Sequence, residues 1–178
     1  MLGDIEKELL SAEEISKKVA ELGRLISADY KGKTPVLVAV LKGSVVFISD
    51  LMRSMDIPVS LDFMSVSSYG SGVKTTGVVK ILKDLDMPIE GRDIILVEDI
   101  LDSGRTLSYL REIIQQRNPA SVRIVTLLDK PGRREAQIKA DYCGFEIDDV
   151  FVVGYGLDYS EKYRNLPFVG VLRPEVYR

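Results

Sequence analysis

The 178-residue chain contains 24 lysines and arginines against 27 aspartates and glutamates, and 46% of its residues are hydrophobic. This size and composition predict one domain, residues 1–178, with a hydrophobic core. The formal charge of −3 gives no general attraction to nucleic acid. The absence of histidine and the single cysteine, Cys143, argue against a zinc site, so any metal is expected to have oxygen ligands, which suits Mg²⁺.

The first residues, MLGDIEKELL, lack both the basic opening and the long apolar core of a signal peptide. No apolar run in the sequence approaches the roughly 20 residues that a membrane helix needs. One cysteine cannot form a disulfide within the chain. We therefore expect a cytoplasmic protein with no membrane partner.

The first predicted helix follows the capping-box pattern that Ser11 and Glu14 form at the start of SAEEISKKVAELGRLISADY. Apolar residues then recur at helical spacing from Ile15 to Ile26. This pattern predicts a helix with one buried face.

A strand, turn and helix alternation follows along the chain. The apolar run TPVLVAVLKGS ends in a glycine turn and precedes the predicted helix SVVFISDLMRSM. The segments RDIILVEDI, RTLSYLREIIQQR and SVRIVTLLDK repeat the order strand, helix, strand. Because these strands are apolar on both faces, the pattern predicts an α/β protein with a parallel sheet covered by helices.

Two further regions complete the predicted elements. VSLDFMSVSSYGSG and GVVKILKDL indicate a pair of strands joined by a long, mobile Ser/Gly-rich connection, Ser67 to Gly77, which is either a functional loop or a flexible connector. DVFVVGYGLDYSEKYRNLPFVGVL predicts a short strand, a Gly-Tyr-Gly turn and a last apolar segment after Pro167.

Ligands of open α/β sheets bind at the carboxyl ends of the strands, which here are LKGS, VEDILDSGRT, LLDK and FVVGYGLD. The second of these supplies what a phosphate monoester needs, namely backbone N–H groups at a helix start, a glycine that permits close approach, and hydroxyl groups. The residues that carry these features are Ser103, Gly104, Arg105 and Thr106.

Glu98 and Asp99 come directly after the apolar strand IILV, where the backbone is expected to leave the sheet. Carboxylates accept hydrogen bonds from vicinal ribose hydroxyls and can face a Mg²⁺ ion that bridges those hydroxyls to further phosphates. The alternative is that Asp102 or Ser103 caps the helix and that the two carboxylates lie at a solvated strand end.

The segment from Val97 to Leu107, VEDILDSGRTL, resembles the signature of the type I phosphoribosyltransferases, which bind 5-phosphoribosyl-1-pyrophosphate (PRPP). LKGS, SSYGSG, LLDKPGRR and FVVGYGLDYSEKYRNLPFVGVL resemble, in the same order, segments of the hypoxanthine (hypoxanthine-guanine) phosphoribosyltransferases. The resemblance runs from about Ile5 to Leu172.

The resemblance implies a mainly parallel twisted sheet flanked by helices, with a small purine-binding hood and a flexible loop. It implies transfer of ribose 5-phosphate from PRPP to N9 of hypoxanthine or guanine, with release of pyrophosphate, for purine salvage. The implied cofactor is Mg²⁺, for which Mn²⁺ can substitute, and the implied assembly is a homo-oligomer, a dimer or tetramer.

The resemblance also implies roles for single residues. On the PRPP side, Glu98 and Asp99 hold the ribose hydroxyls and Mg²⁺, while the turn from Ser103 to Thr106 holds the 5-phosphate. Asp102 is the acid/base group at N7 of the purine and is also counted among the residues that bind PRPP.

For the leaving group, the resemblance implies that Lys42, Gly43 and Arg164 bind pyrophosphate. It implies a strained peptide between Lys42 and Gly43, often a cis bond, although LKGS taken alone is equally an ordinary strand-to-helix turn. Ser68 and Tyr69 belong to the implied closing loop, which excludes water from the reacting centre.

On the purine side, the resemblance implies that Lys130 donates to O6 of a 6-oxopurine and that the base stacks between Phe151 and Ile100. Val152 reads the base edge through its backbone, and Asp158 serves the exocyclic group of guanine and a second Mg²⁺. Without the resemblance, a strand-end lysine is usually solvated, and the aromatic ring and the valine are assigned to the core.

A regulator that keeps the PRPP site as a sensor while it binds nucleic acid is an alternative on the same fold. The acidic net charge and the presence of Asp102, Lys130 and Phe151 together argue against it. A Rossmann or P-loop nucleotide binder is excluded because neither of their glycine motifs occurs.

Overall fold

A computed structural model of the chain describes residues 1–68 and 79–177. The strands, in chain order, are β1 (Ile5–Leu10), β2 (Val36–Leu41), β3 (Ser60–Ser68), β4 (Val79–Lys83), β5 (Asp93–Leu101), β6 (Ser121–Asp129), β7 (Tyr142–Glu146), β8 (Val152–Val153) and β9 (Val169–Leu172). The helices are α1 (Ala12–Asp29), α2 (Val45–Arg53), α3 (Arg105–Gln115) and α4 (Pro174–Tyr177). Within these described ranges, no helix is long and apolar enough to cross a membrane.

The larger sheet has six strands in the order β4-β3-β2-β5-β6-β7. All neighbouring pairs are parallel except β3 and β4, which pair antiparallel at one edge. The prediction of an α/β protein with a mainly parallel sheet flanked by helices is confirmed.

Alternate residues of the central strands enter two separate cores, which explains why these strands are apolar throughout. On β2, Leu37 and Ala39 pack into the core that α1 and α2 cover. Val36, Val38 and Val40 of the same strand pack into the core that α3 covers on the opposite face. A strand buried on both faces has no polar side, because neither face meets water.

Helix α1 begins as its sequence predicts. The Ser11 hydroxyl accepts a hydrogen bond from the Glu14 backbone N–H at 3.2 Å, and the Glu14 carboxylate accepts one from the Ser11 N–H at 2.8 Å. Ile15 and Ile26 are among the residues of the buried stripe. The capping box and the amphipathic helix are therefore confirmed.

A second, three-stranded antiparallel sheet in the order β1-β9-β8 is the part of the fold that the sequence predicted least well. Ile5 of β1 pairs with Leu172 of β9, at the other end of the chain. In β1, IEKELL, three residues are exposed and one is buried, and its sequence shows no clear apolar alternation. This sheet is the counterpart of the implied hood, and the organisation of residues 1–178 as one domain stays a prediction.

Strand β5 is longer than predicted, so the expectation that Glu98 and Asp99 follow the strand is wrong. Its pairing with β2 stops at Val97, whereas its pairing with β6 continues to Leu101. The two carboxylates therefore lie on a strand that has lost one neighbour, and this side of β5 is open to the residues that follow β2.

Asp62, on β3, is a buried acid with 2% of its surface exposed that the sequence did not single out. Its Oδ2 accepts hydrogen bonds from the backbone N–H groups of Asp86 at 2.9 Å and Met87 at 3.2 Å, and the Nζ of Lys83 lies 3.8 Å from its Oδ1. We expect Asp62→Ala to lower the free energy of unfolding by about 1–3 kcal/mol, because it leaves these donors without their acceptor.

Urea unfolding measures this difference. Asp86→Ala is the matched control, since the Asp86 side chain is 80% exposed and its pairing with Lys83 contributes little. Equal unfolding midpoints for wild type and Asp62→Ala would show that Asp62 does not stabilise the strand connection.

Candidate active site

The turn between β5 and α3 leaves the start of the helix open. The N-cap residue is Gly104, which has no side chain to cap the helix, and its φ of +79° is one that other residues rarely adopt. A Cβ at this position would lie 2.6 Å from Cγ2 of Ile138, so only glycine fits. Ser103 Oγ accepts a hydrogen bond from the Arg105 N–H at 3.4 Å, which is long for a cap.

A cavity of about 280 Å³ opens beside this turn. Most of the residues predicted to hold PRPP line it, and the exception is Arg105, which forms an ion pair with Glu135 instead. The lining residues are Val40, Leu41, Gly43, Val66, Glu98, Asp99, Ile100, Leu101, Asp102, Ser103, Gly104, Thr106 and Leu107. The structure thus brings the acidic strand end, the open helix start and the turn after β2 to one site.

The pKa values of Glu98 and Asp99, which lie on β5, are both raised. Burial raises the pKa of Asp99 from 3.8 to about 6. Burial and then the adjacent charge of Asp99 raise the pKa of Glu98 well above its ordinary value. Because a nearby cation favours the ionised form of a carboxyl group, two neighbouring carboxyls that are costly to ionise indicate a site that binds a cation.

The donor set fits Mg²⁺ only if a ligand contributes further oxygens. Within residues 1–68 and 79–177, no three acidic or other ligating side chains are grouped to hold a metal ion. Asp99 Oδ2 lies so close to the backbone of Gly43 that a Cβ there would be 1.7 Å away, so the carboxylate faces the turn where the leaving group is expected. Glu98 and Asp99 could therefore hold a hydrated Mg²⁺ together with substrate oxygens.

These pKa shifts predict a pH-dependent stability. A carboxyl whose pKa is raised in the folded state contributes most favourably below its unfolded pKa, and this contribution is lost as pH rises through the folded value, about 6 for Asp99. Relative to wild type, Asp99→Asn should thus raise the free energy of unfolding near pH 8, by about 1–2 kcal/mol since one pKa unit is about 1.4 kcal/mol and solvent screens part of it. Near pH 4.5 the difference in the free energy of unfolding between Asp99→Asn and wild type should be smaller.

Urea unfolding of the ligand-free protein at both pH values tests this prediction, with the exposed Asp148→Asn as the control variant. A difference between wild type and Asp99→Asn that is independent of pH would contradict the raised pKa of Asp99.

The turn after β2 contains a cis peptide bond between Leu41 and Lys42, neither of which is proline. The implied position, between Lys42 and Gly43, is wrong by one bond. The turn packs against the connection between β8 and β9, since a Cβ on Gly156 would lie 2.1 Å from the carbonyl oxygen of Gly43. Gly156 also has a φ of +100°, so glycine is required there on both grounds.

The two cations predicted to bind pyrophosphate both contact Glu161, which the sequence did not single out. Lys42 Nζ lies 3.0 Å from Glu161 Oε2, and Arg164 Nη2 lies 3.0 Å from Glu161 Oε1. Arg164 also lies 2.9 Å from Asp158 Oδ1 and donates to the Gly156 carbonyl at 2.8 Å. The structure therefore gathers the predicted leaving-group residues around a carboxylate.

A second cavity, of about 530 Å³, lies beside the first and is within the range of about 300–1,000 Å³ typical of small-molecule sites. Its lining residues are Ile100, Asp102, Lys130, Arg133, Asp149, Phe151, Val152, Leu157 and Tyr177. Ile100 and Asp102 line both cavities. Asp158 is not among the residues that line either of these two cavities within the described chain.

Lys130 and Phe151 both depart from what their sequence context alone predicts. Lys130 is 7% exposed, its backbone N–H donates to the Leu101 carbonyl at 2.9 Å, and its Nζ lies 3.8 Å from Asp149 Oδ1. Phe151 is 37% exposed rather than part of the core, whereas Val152 is buried at 6%. A buried lysine and an exposed ring in one cavity favour a ligand over a packing role.

Arg133 and Asp149 are polar cavity residues that the sequence interpretation missed. Arg133 Nε lies 3.0 Å from Asp102 Oδ1, and its Nη1 lies 3.4 Å from Asp149 Oδ2. Arg133 is in the quoted segment LLDKPGRR, so its proximity to Lys130 in sequence was the available signal. Its contact with Asp102 depends on how the segment after β6 folds back onto the turn before α3.

The predicted closing loop cannot be placed. Ser68 is the last residue of β3, and Tyr69 lies outside the described residues. Their roles stay predictions.

Residues 6–160 match the family model described as phosphoribosyl transferase domain. Together with the sheet order and the site beside β5, this match shows that the chain belongs to the phosphoribosyltransferase family.

Within that family, the chain is 56% identical over 177 residues to the hypoxanthine-guanine phosphoribosyltransferase of Bacillus subtilis, covering 99% of this chain and 98% of that protein. It superposes on the crystal structure of a hypoxanthine phosphoribosyltransferase from Staphylococcus aureus with a TM-score of 0.96 and 52% identity, covering 100% of this chain and 97% of that one. It is 54% identical to the bifunctional protein TilS/HprT of Listeria innocua, where the match covers 99% of this chain but the chain spans 27% of that protein.

Proposed function

We propose that the protein is a purine-salvage enzyme that transfers ribose 5-phosphate from PRPP to N9 of hypoxanthine or guanine, forming IMP or GMP and pyrophosphate. The observation that carries this proposal is that Asp102 and Ile100 line both cavities. A phosphate-bearing sugar in the smaller cavity and a flat base in the larger one would meet at Asp102. The names of the relatives agree with this chemistry.

On the sugar side, the open N-terminus of α3 and the hydroxyls of Ser103 and Thr106 would hold the 5-phosphate, because unpaired backbone N–H groups at a helix start bind anions. Glu98 and Asp99 would accept hydrogen bonds from the ribose hydroxyls. When bound there, Mg²⁺ would neutralise negative charge on the leaving group, and Mn²⁺ is expected to substitute for it.

On the base side, Lys130 would donate to O6 of the purine, and Phe151 would stack on one face of the base with Ile100 against the other. Val152, on β8, would offer its backbone to the base edge. The implied roles of Asp158 at the exocyclic group and at a second Mg²⁺ remain proposals, since Asp158 pairs with Arg164 in this structure.

Asp102 would exchange a proton with N7 as the bond to N9 forms. Its position at the junction of the cavities is held by the turn before α3, whose Ser103 carbonyl accepts hydrogen bonds from Glu135 and Ala136 at 2.9 and 3.1 Å. Arg133 Nε lies 3.0 Å from Asp102 Oδ1 and also lines the larger cavity, so its guanidinium would help to orient the carboxylate. General acid/base catalysis requires such placement within reach of the proton.

We further propose a cytoplasmic homo-oligomer that binds PRPP and 6-oxopurines and has no nucleic-acid partner. The formal charge of −3 and the presence of the buried Lys130 in the larger cavity favour this function over the PRPP-sensing regulator.

One assay tests the proposed activity. The protein is mixed with PRPP, Mg²⁺ and each purine separately, and formation of the monophosphate is followed. We expect product from hypoxanthine or guanine, loss of activity in EDTA with an unchanged circular dichroism spectrum, and recovery with Mg²⁺ or Mn²⁺. Full activity in chelator would contradict the proposed metal role of Glu98 and Asp99. The absence of product from both 6-oxopurines would refute the proposed enzymatic activity.

A further inference from the structure

Glu161 has an unusual place for an exposed carboxylate, since each of its oxygens faces a different cation. Oε2 lies 3.0 Å from Lys42 Nζ, and Oε1 lies 3.0 Å from Arg164 Nη2. Lys42 follows β2, whereas Arg164 belongs to the connection between β8 and β9, so the contact joins two distant parts of the chain. A single anionic group bridges the two.

Lys42 and Arg164 are also the two cationic side chains assigned above to the pyrophosphate group. We propose that Glu161 occupies the pyrophosphate subsite of the free enzyme as an internal anion, which PRPP or pyrophosphate displaces. This inference rests on the proposed function, because the pyrophosphate roles of Lys42 and Arg164 are implied by the family resemblance and hold only if the enzyme uses PRPP.

Arg164 stays in position when Glu161 leaves, because it has other contacts. Its Nη1 donates to the Gly156 carbonyl at 2.8 Å, and its Nη2 lies 2.9 Å from Asp158 Oδ1. The incoming anion would therefore find this guanidinium already oriented, and only the Glu161 side chain and Lys42 would need to move.

Glu161 is held loosely enough to be displaced. Its side chain is 65% exposed, so water and salt screen both ion pairs. A pyrophosphate carries more charge than one carboxylate and can form paired hydrogen bonds with a guanidinium, so it competes well.

Glu161 would therefore weaken the binding of PRPP and favour the release of pyrophosphate. An internal anion weakens the binding of PRPP and pyrophosphate to the free enzyme by the same factor, and it offers a group that refills the subsite as pyrophosphate departs. Glu161 would thus tune affinity for the leaving group without contacting the reacting carbon.

Glu161→Gln tests the inference because it keeps the shape and removes the charge. Titration calorimetry with inorganic pyrophosphate and Mg²⁺ should show about 2–10-fold tighter binding than wild type, the range expected from removing exposed ion pairs. KM for PRPP should fall while kcat does not rise, and the gain in affinity should shrink in high salt. Glu146→Gln, an exposed change of equal charge on β7, should leave pyrophosphate affinity unchanged.

Lys42→Met distinguishes a failure of this inference from a failure of the pyrophosphate subsite assignment. If the assignment is right, this variant weakens pyrophosphate binding in both the wild-type and the Glu161→Gln backgrounds. If it does so while Glu161→Gln and Glu161→Ala bind pyrophosphate no more tightly than wild type, Glu161 is not an internal competitor and only this inference is overturned. If Lys42→Met and Arg164→Met both bind pyrophosphate as wild type does, the subsite assignment fails and this inference fails with it. Equal melting temperatures of all variants confirm that folding is intact.

Discussion

Asp102→Asn is expected to lower kcat by roughly 10²–10⁴-fold, the usual range for a positioned acid or base. The amide keeps the size of the side chain, but it cannot exchange a proton with N7 of the purine. Affinity for PRPP should change much less, because most of the contacts with the 5-phosphate and the ribose are expected from other residues. Steady-state kinetics with hypoxanthine, together with calorimetry of PRPP binding, measures both effects.

Asp149→Asn is the matched control for this variant. Asp149 lines the same cavity and also contacts Arg133, at 3.4 Å, but it does not line the smaller cavity where the sugar is expected. It should lower kcat far less than Asp102→Asn does. An Asp102→Asn protein with intact kcat and weakened PRPP binding would reassign Asp102 to binding.

Wild-type protein is expected to use adenine very poorly, because of Lys130. An ammonium has three donors and no acceptor, so it complements O6 of hypoxanthine or guanine and opposes the N6 amino group of adenine. The burial of Lys130 to 7% exposure strengthens this argument, since an unmatched donor there has little access to water. A site built around one hydrogen bond can discriminate by as much as about 10⁴–10⁵-fold.

Lys130→Met should therefore erode activity on both 6-oxopurines and narrow their advantage over adenine, while PRPP binding stays nearly intact. Methionine is similar in length and has no donor. Ratios of kcat/KM for the three purines measure the effect, and the exposed Lys139→Met serves as the control. If the variant keeps its full discrimination, O6 is read by another group.

Much of the fold follows from local sequence patterns. The capping box at Ser11 and the helical spacing after it predicted α1, and runs apolar on both faces predicted the strands of a covered parallel sheet. These signals are reliable because they depend on periodicity and turn chemistry within one segment. The same holds for Gly104, whose place between a strand and a helix indicated the turn that the structure shows.

Much of the candidate site was also predicted, because the strand ends that carry it meet at one edge of the sheet. Sequence placed Asp102 and Lys130 at two such ends, and the structure brings both to one cavity. The sequence did not predict the burial of Lys130, because its contacts with Leu101, from β5, and Asp149, from the segment after β7, join separate parts of the chain.

Only the tertiary structure decided the contacts between distant segments. The pairing of Ile5 with Leu172, the ion pair between Arg133 and Asp102, and the position of Glu161 between two cations all join residues from different elements. A glutamate in a polar turn has no local pattern that distinguishes a solvated side chain from one that faces a lysine 119 positions away. The sequence by itself therefore determined the class of fold and the chemistry at the strand ends, whereas long-range packing determined which charges meet there, because ion pairs between separate elements depend on geometry and not on spacing.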